Sequence, residues 1–305
     1  MNAPTLAEFM ALHGYDAPPS MCTGEIIRFN APGKPKGNKS AWLKVFGDGA
    51  AMFGNWITGE EHVYQPNGLN ELDQAQRAAA YLQMQAERAK HQAELMAQYA
   101  RMADKAAGIW ESLPPASEHH PYLLAKQIQP HGAAFMPLFD GYLKDCLIIP
   151  IYGELRGGVL ELISLQAIDP TGTKRPLKGA KFKGGFYPVQ WLDNDAPIVI
   201  CEGFATAATM AEHYTQAANV ICAFNAQNLV TVAKYLRQRH HGNAFYIAAD
   251  NDRFGETNTG LVMATKAARL CYGEILFPEF KEGEAGTDWN DFYQLQAQRE
   301  RMTTK

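Results

Sequence analysis

Two apolar runs of the chain end in acid: IVICEG, which carries Glu202, and FYIAADND, which carries Asp250 and Asp252. A buried strand that runs out into carboxylates spaced by one residue puts charge where it is costly unless something answers it. Carboxylates gathered at one point repel each other and hold raised pKa values until a cation neutralises them. Hard oxygen ligands favour Mg²⁺, which takes one or two carboxylates and keeps waters that phosphate oxygens can replace, with Mn²⁺ able to stand in. The chemistry suggested is metal-dependent phosphoryl or nucleotidyl transfer. An Asp-Asn-Asp run after a strand also suits a turn or a helix start. The Glu-Gly pair at the earlier strand end moves the reading towards a site. Gly203 strengthens it, because a residue without a side chain lets a backbone or a phosphate approach closely.

These acids need a scaffold that brings together positions about 50 residues apart. From residue 194 onward, APIVICEG, NVICAF, FYIAAD and EILFP read as strands. FATAATMAEHYTQ, AQNLVTVAKYLRQRHH, NTGLVMATKAARLCYG and DWNDFYQLQAQRERM read as helices. Strands alternating with helices of this length predict a mostly parallel, doubly wound sheet. Ligands of such sheets bind beyond the carboxyl ends of the strands, where Glu202 and Asp250 fall. Upstream, residues 24–59 alternate β-favouring pieces with Gly and Pro, residues 69–112 are rich in strong helix formers, and Pro114–Pro115 stops that helix. Residues 121–128 read as a short helix and residues 146–191 turn β again. The expected organisation is a basic β-rich segment (1–65), a long Ala/Gln-rich helix (66–113), a second β-rich part (114–193) and an α/β domain (194–305). The fold class is an α+β N-terminal part, a long connecting helix, and an α/β domain of Rossmann-like type.

The 305 residues carry a formal charge of −4, with 47% hydrophobic and 20% charged residues, which supports a folded core and argues against a histone-like binder. Positive charge is segregated. Arg28, Lys34, Lys36, Lys39 and Lys44 follow one another with no acid between them, and Lys174, Arg175, Lys178, Lys181 and Lys183 crowd a loop. Both stretches suit nucleic acid or nucleotide phosphates. Trp42 and Trp56 are expected to be core residues of the small β segment rather than base-stacking platforms. The pairs His119–His120 and His240–His241 are expected at the surface. The five cysteines have no Cys-x-x-Cys spacing, so no zinc is expected and a reducing cytoplasmic setting is. No run approaches the ~20 apolar residues of a membrane span.

CEGFATAAT, the β-α-β-α-β stretch after it and AADND together resemble a Toprim domain, the catalytic fold shared by bacterial-type primases, type IA and II topoisomerases and some nucleases. The resemblance implies catalytic and metal-binding roles for Glu202, Asp250 and Asp252. It matches DWNDF to the acidic tail of such domains, placing Asp288 and Asp291 near the metal. The stretches GEIIRF…WLKVF and CLIIPIYG…GGFYPV extend it to the Toprim primases of phages and conjugative plasmids, in which a basic β subdomain precedes the Toprim. That implies short RNA primers made on a single-stranded DNA template from nucleoside triphosphates, with a helicase or replication-initiation partner and no membrane. The chain departs from the pattern in having neither a zinc module nor a Walker A loop, so template selection and unwinding are expected from elsewhere. A Toprim nuclease and a non-catalytic nucleic-acid-binding module serving a helicase are the alternatives.

Overall fold

A computed structural model describes residues 4–35, 37–47, 49–66, 74–251, 253–254 and 258–303. Two compact units divide the chain, Met1–Ala89 and Lys90–Lys305.

In the first unit, helix α1 (Leu6–Leu12) starts at a capping box. Thr5 Oγ1 accepts from the Glu8 N–H, and the Glu8 carboxylate accepts from the Thr5 N–H. Strands β1 (Ile26–Phe29), β2 (Ala41–Val45), β3 (Ala51–Asn55) and β4 (Glu60–Tyr64) form an antiparallel meander in that order. Met10 and Tyr15 are buried together with Leu43, Val45, Phe53 and Tyr64, so alternate positions of the strands pack with the α1 segment. Trp42 is buried as expected, but Trp56 is 46% exposed, which corrects its assignment to the core. It lies just beyond the end of β3, where the pleat no longer dictates burial.

Helix α2 (Gln74–Glu111) is one uninterrupted element. In the second unit its last turns bury Ala103 and Ala106 and lay Met102, Ile109 and Trp110 on an antiparallel sheet. The strands of that sheet are β5 (Ala134–Phe139), β6 (Leu143–Glu154), β7 (Leu160–Ile168) and β8 (Lys174–Pro176). Lys174 and Arg175 therefore stand in a strand, paired with Ile168 and Ala167, and not in the loop the sequence suggested. Asp169 explains the difference, since its Oδ1 accepts from the N–H groups of Thr171 and Thr173 and closes a tight hairpin. Helix α3 (Pro121–Lys126) is capped by His120, whose Nδ1 accepts from the Tyr122 N–H while Nε2 lies 2.7 Å from the Asp145 carbonyl. His120 is 5% exposed, so capping overrides the surface position expected for it.

The five-stranded sheet has the order β13-β12-β10-β11-β9. β10 (Ile198–Cys201), β11 (Asn219–Cys222), β12 (Phe245–Ala248) and β13 (Glu274–Leu276) are parallel, and β9 (Tyr187–Gln190) is an antiparallel edge. β10 and β11 are buried at every residue, as a sheet covered on both faces requires. Ile198, Ile200, Ile221 and Ile247 pack with Leu229, Val232 and Ala233 of α5 (Ala226–Arg237) and Ala264 and Ala267 of α6 (Thr259–Cys271). Val199, Cys201, Val220 and Cys222 pack with Phe204, Ala207 and Ala208 of α4 (Phe204–Thr209). α4 passes into a π-helical turn, Met210–Tyr214, where the sequence suggested regular helix. α7 (Trp289–Thr303) follows the last strand. The fold class read from the sequence holds. Among the described residues no helix is long and apolar enough to cross a membrane.

Candidate active site at the strand-end rim

β10 and β12 are adjacent parallel strands in a register that pairs Cys201 with Ala248. Glu202 follows β10 directly and Asp250 stands two residues beyond β12, so the two acids leave the same edge of the sheet on neighbouring strands. Asp252 lies outside the described residues. Thr206, in the first turn of α4, donates from Oγ1 to Asp250 Oδ1 at 3.2 Å. The Asp250 segment is tied to the α7 entry, because the Asn251 N–H donates to the Thr287 carbonyl at 2.6 Å and the Asn251 amide to the Pro278 carbonyl at 3.2 Å.

That tie brings in the acidic tail. Asp288 caps α7 by accepting from the Asp291 N–H at 2.8 Å, and Asp291 accepts from the Thr287 N–H at 3.1 Å. The remaining oxygens of both acids face one ammonium group, with Lys126 Nζ 3.8 Å from Asp288 Oδ2 and 3.5 Å from Asp291 Oδ1. Fully buried Asn290 locks the arrangement. Its amide donates to the Lys126 carbonyl at 2.6 Å and to Thr209 Oγ1 at 2.9 Å, joining α7 to α3 and α4.

A cavity of about 270 Å³ opens on this rim, lined among others by Lys126, Thr171, Lys174, Thr206, Asp250 and Asp288. Lys174 Nζ lies 3.6 Å from where a side chain on Gly203 would begin, an ordinary contact distance. Its φ is −115°, a conformation open to any residue. The charges at the rim reach Cys222 in the sheet. Burial pushes its thiol up to about 12, with Lys174 pulling it down and Asp250 and Glu202 raising it.

The donor set fits a hard divalent ion. Asp250 and Asp288 line the cavity with Lys126 and Lys174, and Glu202 leaves the strand beside that of Asp250. No three described His, Cys, Asp or Glu side chains enclose a metal by themselves. An ion held by two carboxylates with water and ligand oxygens completing its shell needs no such cage.

The basic residues divide. Lys174 lines the cavity. Arg175, Lys178 and Lys183 are exposed on the same unit. Lys181 is turned inward, where its ammonium donates to the Glu154 carbonyl and burial lowers its pKa. Arg28, Lys34, Lys39 and Lys44 belong to the first unit, and Lys36 lies outside the described residues. Sequence reasoning missed Lys126, Thr206 and Asn290. The pattern DWND holds the signal for Asn290, whereas the single lysine of PYLLAK gave none.

Residues 197–298 match the model of the Toprim domain. Two relatives from Escherichia coli are each called DNA primase TraC. One is 30% identical over 86% of this chain and 24% of its own length, the other 31% identical over 72% of this chain and 16% of its own. The chain thus spans about a quarter or less of the curated relatives it matches. Among solved structures, the primase fragment of the bacteriophage T7 primase-helicase protein aligns over 61% of this chain and 74% of its own, at 16% identity and a TM-score of 0.42. The T7 primase domains bound to an RNA/DNA hybrid with the lagging-strand polymerase align over 59% of this chain and 88% of theirs, also at 16% and 0.42. With its acids at the ends of neighbouring parallel strands and a domain match over the same residues, the chain carries a Toprim domain and is related to the Toprim-domain primases.

Proposed function

We propose that this chain is a DNA primase-like nucleotidyltransferase that makes short RNA primers on single-stranded DNA. The observation that carries the reading is the placement of Glu202 and Asp250 at the ends of neighbouring parallel strands, beside a cavity that Lys126 and Lys174 line. In this reading Glu202, Asp250 and Asp252 hold Mg²⁺, and Asp288 and Asp291 extend the acidic set. When bound, the metal supplies charge neutralisation at the triphosphate and activation of the attacking 3′-hydroxyl. Thr206 fixes the orientation of Asp250, and Gly203 lets a phosphate pass close to the backbone. Lys126 and Lys174 offer cations to the phosphate oxygens, and Arg175, Lys178 and Lys183 attract the strand. Arg28, Lys34, Lys36, Lys39 and Lys44 hold further nucleic acid on the first unit. A helicase or initiation partner supplies the unwinding, and the buried free cysteines suit a reducing cytoplasm.

The test is incubation with labelled ATP and GTP, Mg²⁺ and a single-stranded template. New oligoribonucleotides that vanish in Asp250→Asn support the reading. Shortened template would replace it with a nuclease. Salt-sensitive binding without metal-dependent turnover would replace it with a binding module.

A further inference from the structure

The four-stranded sheet of the first unit has a second face, on which two of the cations named above, Arg28 and Lys44, stand. Strand register decides which side chains share it. Ile26 pairs with Lys44 and Arg28 with Trp42, Lys44 pairs with Met52, and Met52 pairs with Val63. Side chains alternate across a pleat, so Ile26, Arg28, Trp42, Lys44, Met52 and Val63 share the face opposite the one that buries Leu43 and Phe53 against the α1 segment. One acid, Glu61, joins them by pairing with Gly54.

When one face of an antiparallel sheet packs on a core, the other is ordinarily polar. Here Ile26 is 51% exposed and Val63 55%. Trp56 joins the patch from just beyond β3. Its ring centre lies 5.3 Å from that of buried Trp42, and the Arg28 guanidinium lies 5.9 Å from it. An exposed indole is thus backed by a buried one and flanked by a cation. The connection between β1 and β2 adds exposed Lys34 and Lys39, and no acid occurs between Glu25 and Asp48. Cations call for a polyanion. An exposed aromatic ring calls for unpaired bases, which duplex DNA does not present.

We infer that this face binds single-stranded nucleic acid, with a base stacked on Trp56 and the backbone held by Arg28, Lys44 and the lysines of the β1–β2 connection. The inference rests on the primase reading only for identifying the bound strand as template.

Anisotropy of end-labelled oligo(dT) and oligo(U), titrated with the full chain at several salt concentrations, tests it. Trp56→Ala should weaken binding about tenfold and leave the salt slope unchanged, because stacking releases no counterions. Trp56→Phe should restore most of the loss, which separates stacking from misfolding. Arg28→Gln and Lys44→Gln should each weaken binding and lower the slope by about one. A labelled duplex should show no dependence on Trp56. If Trp56→Ala binds within about twofold of wild type, on the scale of a base stack worth tenfold or more, the inference fails and the face is left for a protein partner. Asp250→Asn should bind the strand normally. If it also still makes primers, the primase reading fails while the assignment of this face stands.

Discussion

Two acidic sites of the second unit are built to different rules. At the strand-end rim, four described carboxylates meet two lysines. In the π-helical turn, Glu212 is answered from inside the protein. Its Oε1 accepts from the Gln129 N–H at 2.8 Å and lies 2.6 Å from His131 Nε2, and its Oε2 lies 3.6 Å from His213 Nε2. His213 is itself stacked on Tyr293, with ring centres 3.8 Å apart and 7° between planes. Burial raises the Glu212 pKa, but the hydrogen bonds from His131 and the Gln129 N–H outweigh it, so its carboxyl titrates below the usual range. The rim gathers several acids around a cavity, whereas the turn holds a single acid among partners from its own fold. A carboxylate enclosed by hydrogen bonds holds the fold together, and carboxylates gathered beside a cavity suit a cation from outside.

The comparison predicts opposite responses to neutralisation. At the rim, Asp250→Asn or Glu202→Gln should lower primer synthesis by about 10²-fold or more, the several kcal/mol that a metal-held charge supplies at a phosphoryl group. The melting temperature should stay level or rise, because a like-charge repulsion is relieved. A variant that melts early instead would move these acids into the structural class. The next largest effect concerns the lock beneath the rim. Asn290→Ala deletes two buried donors and strands the Lys126 carbonyl, so urea unfolding should show a loss of about 1–3 kcal/mol. Primer synthesis should fall with it, since Asp288 and Asp291 ride on the helix that Asn290 anchors.

Much of the rim was legible in the sequence because strand ends punctuate it. IVIC and FYIA are apolar at both parities, so the first charged residue after each marks the edge of a doubly covered sheet. The rule for where such sheets bind ligands does the rest. Lys126 was not legible. It meets Asp288 and Asp291 across more than 160 positions of sequence, and a lysine at the end of a six-residue helix looks like any solvated one. Glu212, His131 and His213 were equally silent, since their contact depends on a π-helical turn and on a left-handed backbone at His131 (φ 45°). The open face of the first sheet was half legible. The alternation of Trp42 and Lys44 is in the sequence, but Arg28 and Val63 join them only through register, which a chain rich in Gly and Pro does not advertise.

Lys126 allows the charge argument to be sharpened. Its replacement by Met should leave Asp288 and Asp291 uncompensated and tighten Mn²⁺ binding several-fold, read by paramagnetic resonance in the absence of nucleotide, as the removal of a nearby positive charge dictates. Lys126→Arg should leave the affinity near wild type. Equal Mn²⁺ binding by wild type and Lys126→Met would mean that the rim charge is balanced without this lysine, and the contrast with Glu212 would weaken.

The smallest effect is expected at Glu212, and it should depend on pH. A carboxyl whose pKa is lowered by folding contributes stability that is present above its unfolded value, near 4.5, and is lost as pH falls through the lowered folded value. Glu212→Gln should therefore cost about 1 kcal/mol or less at neutral pH, given the partial exposure of the pair, and should flatten the acid side of the melting curve. Primer synthesis at neutral pH should be unchanged, because Glu212 touches neither the cavity nor its lysines. Thermal melts of both proteins from pH 7 down to pH 3 would read the difference. If the two curves run parallel through that range, the Glu212 contacts add nothing to stability, and internal hydrogen bonding is not what distinguishes the two sites.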